Sequence, residues 1–151
     1  MLVTGPPCSG KSTFVGTFSR PGDLVLCIDT FAQEAGSESE HDHVGEFWHA
    51  ARLRFDGLCE ELGMQVGARA WVIRGCPEAK TRQQLAGKVG ATRTVVLKPS
   101  LDVLYERAYD RDDASGTCKA ITSWFRRYQP APIDEVVDEF TSTAGAATQP
   151  S

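Results

Sequence analysis

Positive charge is in short supply in this chain. Lysine and arginine number 16 against 20 aspartates and glutamates, a formal net charge of -4. A protein that coats duplex DNA nonspecifically needs the opposite balance, although a small basic site on an acidic body stays open. Paired cysteines are also missing. The five cysteines, Cys8, Cys27, Cys59, Cys76 and Cys118, are far apart and never form a CxxC, which argues against both a zinc site and a disulfide framework. A reducing cytoplasm is the home this usage fits. No apolar run approaches the ~20 residues of a membrane span. The start, MLVTGPP, has no basic stretch ahead of an apolar one, so neither a membrane anchor nor a secretory signal is expected.

What is present is an ordinary globular composition: 151 residues, 41% hydrophobic and 24% charged. That is one domain's worth, expected over 1–140, with the small polar stretch 141–151 (TSTAGAATQPS) expected to be disordered. MLVT (1–4) is apolar and β-branched, as a strand requires, and a helix is expected from Lys11 or Ser12 to the stop signal Arg20-Pro21-Gly22. DLVLCID (23–29) reads as a buried parallel strand and EAGSESEHDH (34–43) as a mobile loop. Val44, Phe47, Trp48, Ala51, Phe55, Leu58, Cys59 and Leu62 trace one helical face, which Gly63 ends.

ARAWVIRG (68–75) is a third strand, 77–90 a helix opened by Pro77 and closed by Gly90, and TRTVVLKP (92–99) a fourth strand. Ser100 is placed to cap a helix carrying Leu101, Leu104, Tyr105 and Ala108 inward. RDDASGTC (111–118) breaks the pattern, KAITSWFRRYQ (119–129) resumes it, and IDEVVDEF (133–140) suggests a last helical segment. Strands alternating with helices imply an α/β fold: a parallel sheet of four to five strands flanked by helices, with a short helical lid.

GPPCSGKS fits Gly5-x-x-x-x-Gly10-Lys11-Ser12, the phosphate-binding loop pattern, set between a strand and a helix. The glycines let backbone N–H groups converge on an anion, and the following helix presents its positive end. Lys11 reaches the β- and γ-phosphates, and the Ser12 hydroxyl suits magnesium. Gly5, Pro6, Pro7, Cys8, Ser9, Gly10, Lys11, Ser12 and Thr13 are therefore the candidate nucleotide-binding set. Cys8 fills a variable position; a thiol at a helix N-terminus can also be reactive.

Asp29 ends the expected second strand, beside the loop in such a topology. It can take a proton from an acceptor hydroxyl, or simply cap a helix starting at Thr30. The third strand ends in Arg74 instead of a metal-binding carboxylate. Arg74 either faces the acceptor and phosphates or makes a salt bridge, and Arg82 is a second candidate for the same basic patch. Arg107 and Arg111, four apart, share a helix face and can neutralise charge on a phosphoryl group in flight. Arg126 and Arg127 can join them or lie on a solvated face. Phe31, Trp48 and Trp124 can stack on a base, with core packing the competing role for Trp48. His41 and His43 lack a third ligand at a convincing spacing, and no guanine-reading NKxD motif occurs.

Taken together, GPPCSGKS, Asp29, WVIRG-P----R and VVLKPSLDVLYERAYDR resemble polynucleotide kinase and its relatives, including the phage kinases that phosphorylate 5-hydroxymethyluridine in DNA. The resemblance spans roughly residues 1–133. It implies ATP and Mg2+ as cofactors, with Lys11, Asp29, Arg107 and Arg111 catalytic, Asp29 as general base, and Arg107 and Arg111 on the nucleotide as well. Asp29, Arg74 and Arg82 become the expected acceptor contacts. With no acidic residue ending the third strand, the metal falls to Ser12, Asp29 and water. The expected activity is transfer of the γ-phosphate to a hydroxyl of a nucleic acid or nucleotide, with a DNA or nucleotide substrate as partner. A small-molecule kinase and a P-loop ATPase without an acceptor are the alternatives.

Overall fold

Four short, largely apolar segments and one mixed segment, DEVV, pair into one parallel sheet. They are β1 (Leu2–Thr4), β2 (Leu24–Cys27), β3 (Ala70–Arg74), β4 (Thr94–Leu97) and β5 (Asp134–Val137), in the order β2-β3-β1-β4-β5. The structure is a computed structural model describing residues 1–37 and 45–140. Between the strands run α1 (Lys11–Phe18), α2 (Ile28–Glu34), α3 (Glu46–Gly63), α4 (Ala79–Val89), α5 (Leu101–Tyr109) and α6 (Ala114–Arg127). β1 has only three residues, all buried, and it is the centre of the sheet with β3 and β4 on either side. A strand covered on both faces gains from every side chain, so few residues suffice.

Strand alternation divides the core into two layers. Leu2, Leu26 and Val72 pack with Phe31, Phe55, Leu62 and Val89 of α2, α3 and α4. Val3, Ile73, Val95 and Leu97 face the other way, onto Val15, with the half-buried Phe14, Phe18 and Phe140 against them. A small third cluster, Leu104, Ala108 and Ile121, joins α5 to α6.

The structure corrects three of these expectations. β2 stops at Cys27, and the chain turns directly into α2 at Ile28, so Asp29 lies in a first helical turn and not in a strand. The expected break at 111–118 ends early, because Asp113 accepts a hydrogen bond from the Gly116 N–H (2.9 Å) and starts α6 at Ala114. Within 133–140, where a helix was expected, Asp134–Val137 form a strand: Thr94 pairs with Asp134 and Leu97 with Val137, so β4's open edge captures the segment. Long-range pairing outweighs the weak local preference of so short a run. Gly63 is the last residue of α3, and a Cβ there would sit 2.0 Å from the Lys88 carbonyl oxygen. Close packing of α3 on α4 accounts for it. Ser100 does cap α5, accepting from the Val103 N–H. The stretch 38–44, with His41 and His43, and the tail 141–151 lie outside the described residues.

Candidate functional site

The loop between β1 and α1 is shaped by contacts that only glycine permits. Gly5 has φ 151°, and a Cβ would fall 2.4 Å from the Leu97 carbonyl oxygen and 2.7 Å from Ser9 Oγ. Gly10, at φ 88°, turns the chain into α1 with nothing near its missing side chain. Cys8 takes φ 63°, an uncommon angle for a residue with a side chain, and its thiol side packs on the α5–α6 cluster. The loop is tightened by the Ser9 N–H donating to Pro6 O (3.3 Å). No acidic residue stands in the first turn of α1, so the helix sets no carboxylate of its own against its positive end.

Lys11 folds back over this loop. Its Nζ donates to Pro6 O (2.7 Å), Gly5 O (3.0 Å) and Ser9 Oγ (3.4 Å). Burial lowers its pKa to about 8; the negative charge of Asp29 opposes that shift and the positive charge of Arg111 adds to it. Asp29 and Arg111 thus both act on the Lys11 ammonium, although they come from α2 and from the turn after α5. Arg107 reaches the loop directly, its Nη1 donating to Cys8 O (3.0 Å). Sequence positions 5–13, 29, 107 and 111 therefore meet at the C-terminal edge of the sheet. The helix-capping alternative for Asp29 is not what the structure shows, since Cys27 occupies the N-cap position of α2.

The other expected site residues are placed differently. Arg82 is completely buried, and its five N–H donors are all used: on Asp134 Oδ2 (3.0 and 2.6 Å), Cys76 O (2.9 Å), Pro77 O (3.0 Å) and Gln129 O (2.6 Å). The Tyr128 ring covers its face at 5.7 Å. It fastens α4 to the start of β5 and the end of α6, which corrects its expected place on an exposed basic patch facing the acceptor. Phe31 and Trp124 are core residues, 6% and 3% exposed, and the Trp124 Nε1–H is spent on Gly75 O. Neither offers a face to a base. Arg127 pairs with Glu78 (3.2 Å). Arg126 lines an open cavity of about 600 Å3 with Tyr105, Tyr109 and Lys119, on the outside of the α5–α6 pair.

Arg74 does stand at the same edge, at the end of β3, with its guanidinium over the rings of Trp48 (5.6 Å) and Phe55 (5.2 Å). Sequence inspection missed its neighbour Thr4, which is fully buried with an unpartnered hydroxyl. The available signal was position: Thr4 is the last strand residue before the loop. A larger cavity, about 660 Å3, opens at the opposite edge, beside Met1, Ala70 and Arg93, where β1, β3 and β4 begin. None of the loop residues lines it, so its size says nothing about phosphate chemistry.

The residues present fit a magnesium-bound nucleoside triphosphate. Among the described residues no cluster of three or more His, Cys, Asp or Glu exists to hold a metal alone. Ser12 and Asp29 offer one hydroxyl and one carboxylate, the sparse set with which magnesium is held when phosphates and waters complete its shell. No helix among the described residues is long and apolar enough to cross a membrane.

A parallel sheet whose central strand feeds GPPCSGKS into a helix defines a P-loop-type α/β protein. Solved structures share that fold. A sugar kinase from Janibacter sp. HTCC2649, in unliganded form, is similar with TM-score 0.61 and 15% identity over 91% of this chain and 82% of its own. A kinase candidate from Chloroflexus aurantiacus j-10-fl is similar with TM-score 0.62 and 18% identity, over 91% of this chain and 85% of its own. No family model and no curated protein matches the sequence.

Proposed function

We propose that this chain is a phosphotransferase that moves the γ-phosphoryl group of ATP to a hydroxyl. The observation that carries it is the place of Asp29, in the first turn of α2 directly after β2, from which its negative charge acts on the Lys11 ammonium at the end of the loop. A P-loop alone serves many chemistries. A carboxylate at that point supplies what an acceptor hydroxyl needs.

The loop N–H groups and the N-terminus of α1 hold the triphosphate. Bound magnesium, with Ser12 and Asp29 as its protein partners, would supply charge neutralisation on the phosphate oxygens. Lys11 exchanges its loop carbonyls for phosphate oxygens and stabilises charge as the bond to the leaving group lengthens. Asp29 orients the acceptor hydroxyl and accepts its proton. Arg107, fixed to the loop at Cys8 O, and Arg111 add positive charge from the α5–α6 side, a lid that excludes water as a competing acceptor.

The acceptor is a small hydroxyl compound in this proposal. Burial of Phe31 and Trp124 removes two of the three rings that could have gripped a base, and one structural neighbour is described as a sugar kinase. A hydroxyl of a nucleotide or of DNA, either a 5-hydroxymethylpyrimidine or a polynucleotide 5'-end, is the second reading. The resemblance in GPPCSGKS, Asp29 and VVLKPSLDVLYERAYDR favours it.

Labelled ATP and magnesium, offered with sugars, sugar acids, nucleosides, 5'-hydroxyl oligonucleotide and hydroxymethyluracil DNA, test the proposal. Label should pass to one of these classes. Asp29→Asn should cut transfer by roughly a hundredfold or more, the scale of general-base catalysis, while ATP still binds. Phosphate released only to water, with every acceptor refused, would sink the proposal in favour of an ATPase.

A further inference from the structure

Two buried polar atoms stand side by side at the C-terminal end of the sheet with no hydrogen-bond partner among the described residues. β1 and β3 run in register, Leu2 beside Val72 and Thr4 beside Arg74. Leu2 and Val72 point into the layer covered by α2 and α3, so Thr4 and Arg74, each two residues further along, leave the sheet on the same face. Arg74 confirms this by lying against Trp48 and Phe55 of α3. Thr4 Oγ1 and Arg74 Nη1 are both buried without a hydrogen bond. The remaining orphan among the described residues, Asp134 Oδ1, belongs to the carboxylate that Arg82 already holds through its other oxygen.

This arrangement has no evident architectural reward. Arg82 shows how this fold treats a structural arginine: every donor is bonded and a carboxylate is at hand. Among the described residues no carboxylate pairs with Arg74. Its polar contact is the Cys76 thiol, whose pKa burial raises and Arg74 pulls back. Trp48 and Phe55 stabilise the cation through its π face, which leaves the in-plane N–H groups of Nη1 free. An in-plane guanidinium donor is suited to an oxyanion, and leaving it buried and unpaired is costly.

We propose that Arg74, with Thr4 beside it, anchors an oxyanion on the acceptor: the substrate carries a phosphate or carboxylate as well as the hydroxyl that is phosphorylated. This rests on the phosphotransferase reading for its place in the reaction, but not for its binding. Thr4 immediately precedes the loop and β3 ends beside it, so an acceptor held there presents its far end toward Asp29 and Lys11. Arg74 is then a specificity-determining residue. It also gives a use to the one strand end where a metal-binding carboxylate would have been expected.

The test is calorimetric binding to protein saturated with magnesium and AMP-PNP, which keeps the loop from taking up the anion itself. Matched pairs are titrated: a nucleoside against its 3'-monophosphate, and glucose against gluconate. One anionic member should bind roughly ten- to a hundredfold more tightly than its neutral partner, the range of a charge-assisted hydrogen bond; which pair shows it tells phosphate from carboxylate. Arg74→Met keeps the stem against Trp48 and Phe55 and should bring that pair to parity. If that variant does not fold, Arg74→Lys should retain part of the preference, and Thr4→Val should reduce it. Equal affinity within both pairs, absence of binding, or a preference that survives Arg74→Met overturns the anchor. Anion preference without phosphate transfer would leave the anchor standing and remove the kinase reading; transfer to a neutral acceptor without preference would do the reverse.

Discussion

Gly5 and Lys11 show how closely the loop is built around its backbone. Gly5→Ala would drive a methyl group into the Leu97 carbonyl oxygen at 2.4 Å and Ser9 Oγ at 2.7 Å, at a φ of 151° that side chains avoid. We expect it to cost about 1–3 kcal/mol in denaturant unfolding and to abolish nucleotide binding. Lys11 makes a prediction about pH. Its pKa in the folded protein, about 8, is below the ordinary 10.5 because burial disfavours the ammonium. The unfolded chain therefore binds the extra proton between those values, so Lys11 opposes folding most below pH 8, and that penalty fades as pH rises from 8 to 10.5. Nucleotide affinity has the opposite trend, because phosphate needs the protonated form. Titrations of Mg·ADP should give constant affinity below pH about 8 and a loss approaching tenfold per unit above it. Affinity that stayed flat to pH about 10 would show that the Lys11 ammonium is not shifted.

At the scale of elements, Arg82 and Asp134 form a latch. The pair joins α4 to β5 at 2.6 Å, both side chains essentially inaccessible, and a bond to Gln129 O ties in the end of α6. Removing one partner leaves the other buried and charged, so Arg82→Met should destabilise by roughly 3–5 kcal/mol. The double variant Arg82→Met/Asp134→Leu should recover much of that. A single variant indistinguishable from wild type in thermal unfolding would show that β5 docks without the latch. The latch also explains why 133–140 misleads as sequence. DEVV has no strong strand signal of its own; it becomes a strand because β4 offers an unpaired edge and Arg82 holds Asp134 there. Arg82 misleads for the matching reason: a guanidinium in a polar helix looks solvent-facing until its partner, 52 residues away, is in place.

For the whole molecule, everything depends on three residues. β1 is the centre of the sheet, pairs with both β3 and β4, and delivers the loop. Deleting residues 1–3 should abolish cooperative unfolding and the near-ultraviolet signal of the buried Trp71 and Trp124. A deletion variant that still melted cooperatively and bound ATP would show that β3 and β4 can pair without it. The two faces of that sheet divide the labour. One carries α1 and the phosphate loop; the other, under α2 and α3, carries Arg74 and Thr4. Asp29 stands between them because β2 ends one residue before α2 begins.

The sequence by itself determined the local features: the loop from GPPCSGKS, the cap at Ser100, the alternation of strands and helices, and the candidacy of Asp29, Arg107 and Arg111. These are written in neighbouring residues, where a turn, a cap or a periodic apolar face needs no distant partner. Tertiary structure alone decided where the arginines lie and what they contact. Arg107 reaches Cys8 across 99 positions and Arg82 is consumed by Asp134, while Arg74 is left with a free donor. A charged side chain means opposite things when paired in the core and when held unpaired at a strand end, and its partner, not its own position in the chain, settles which.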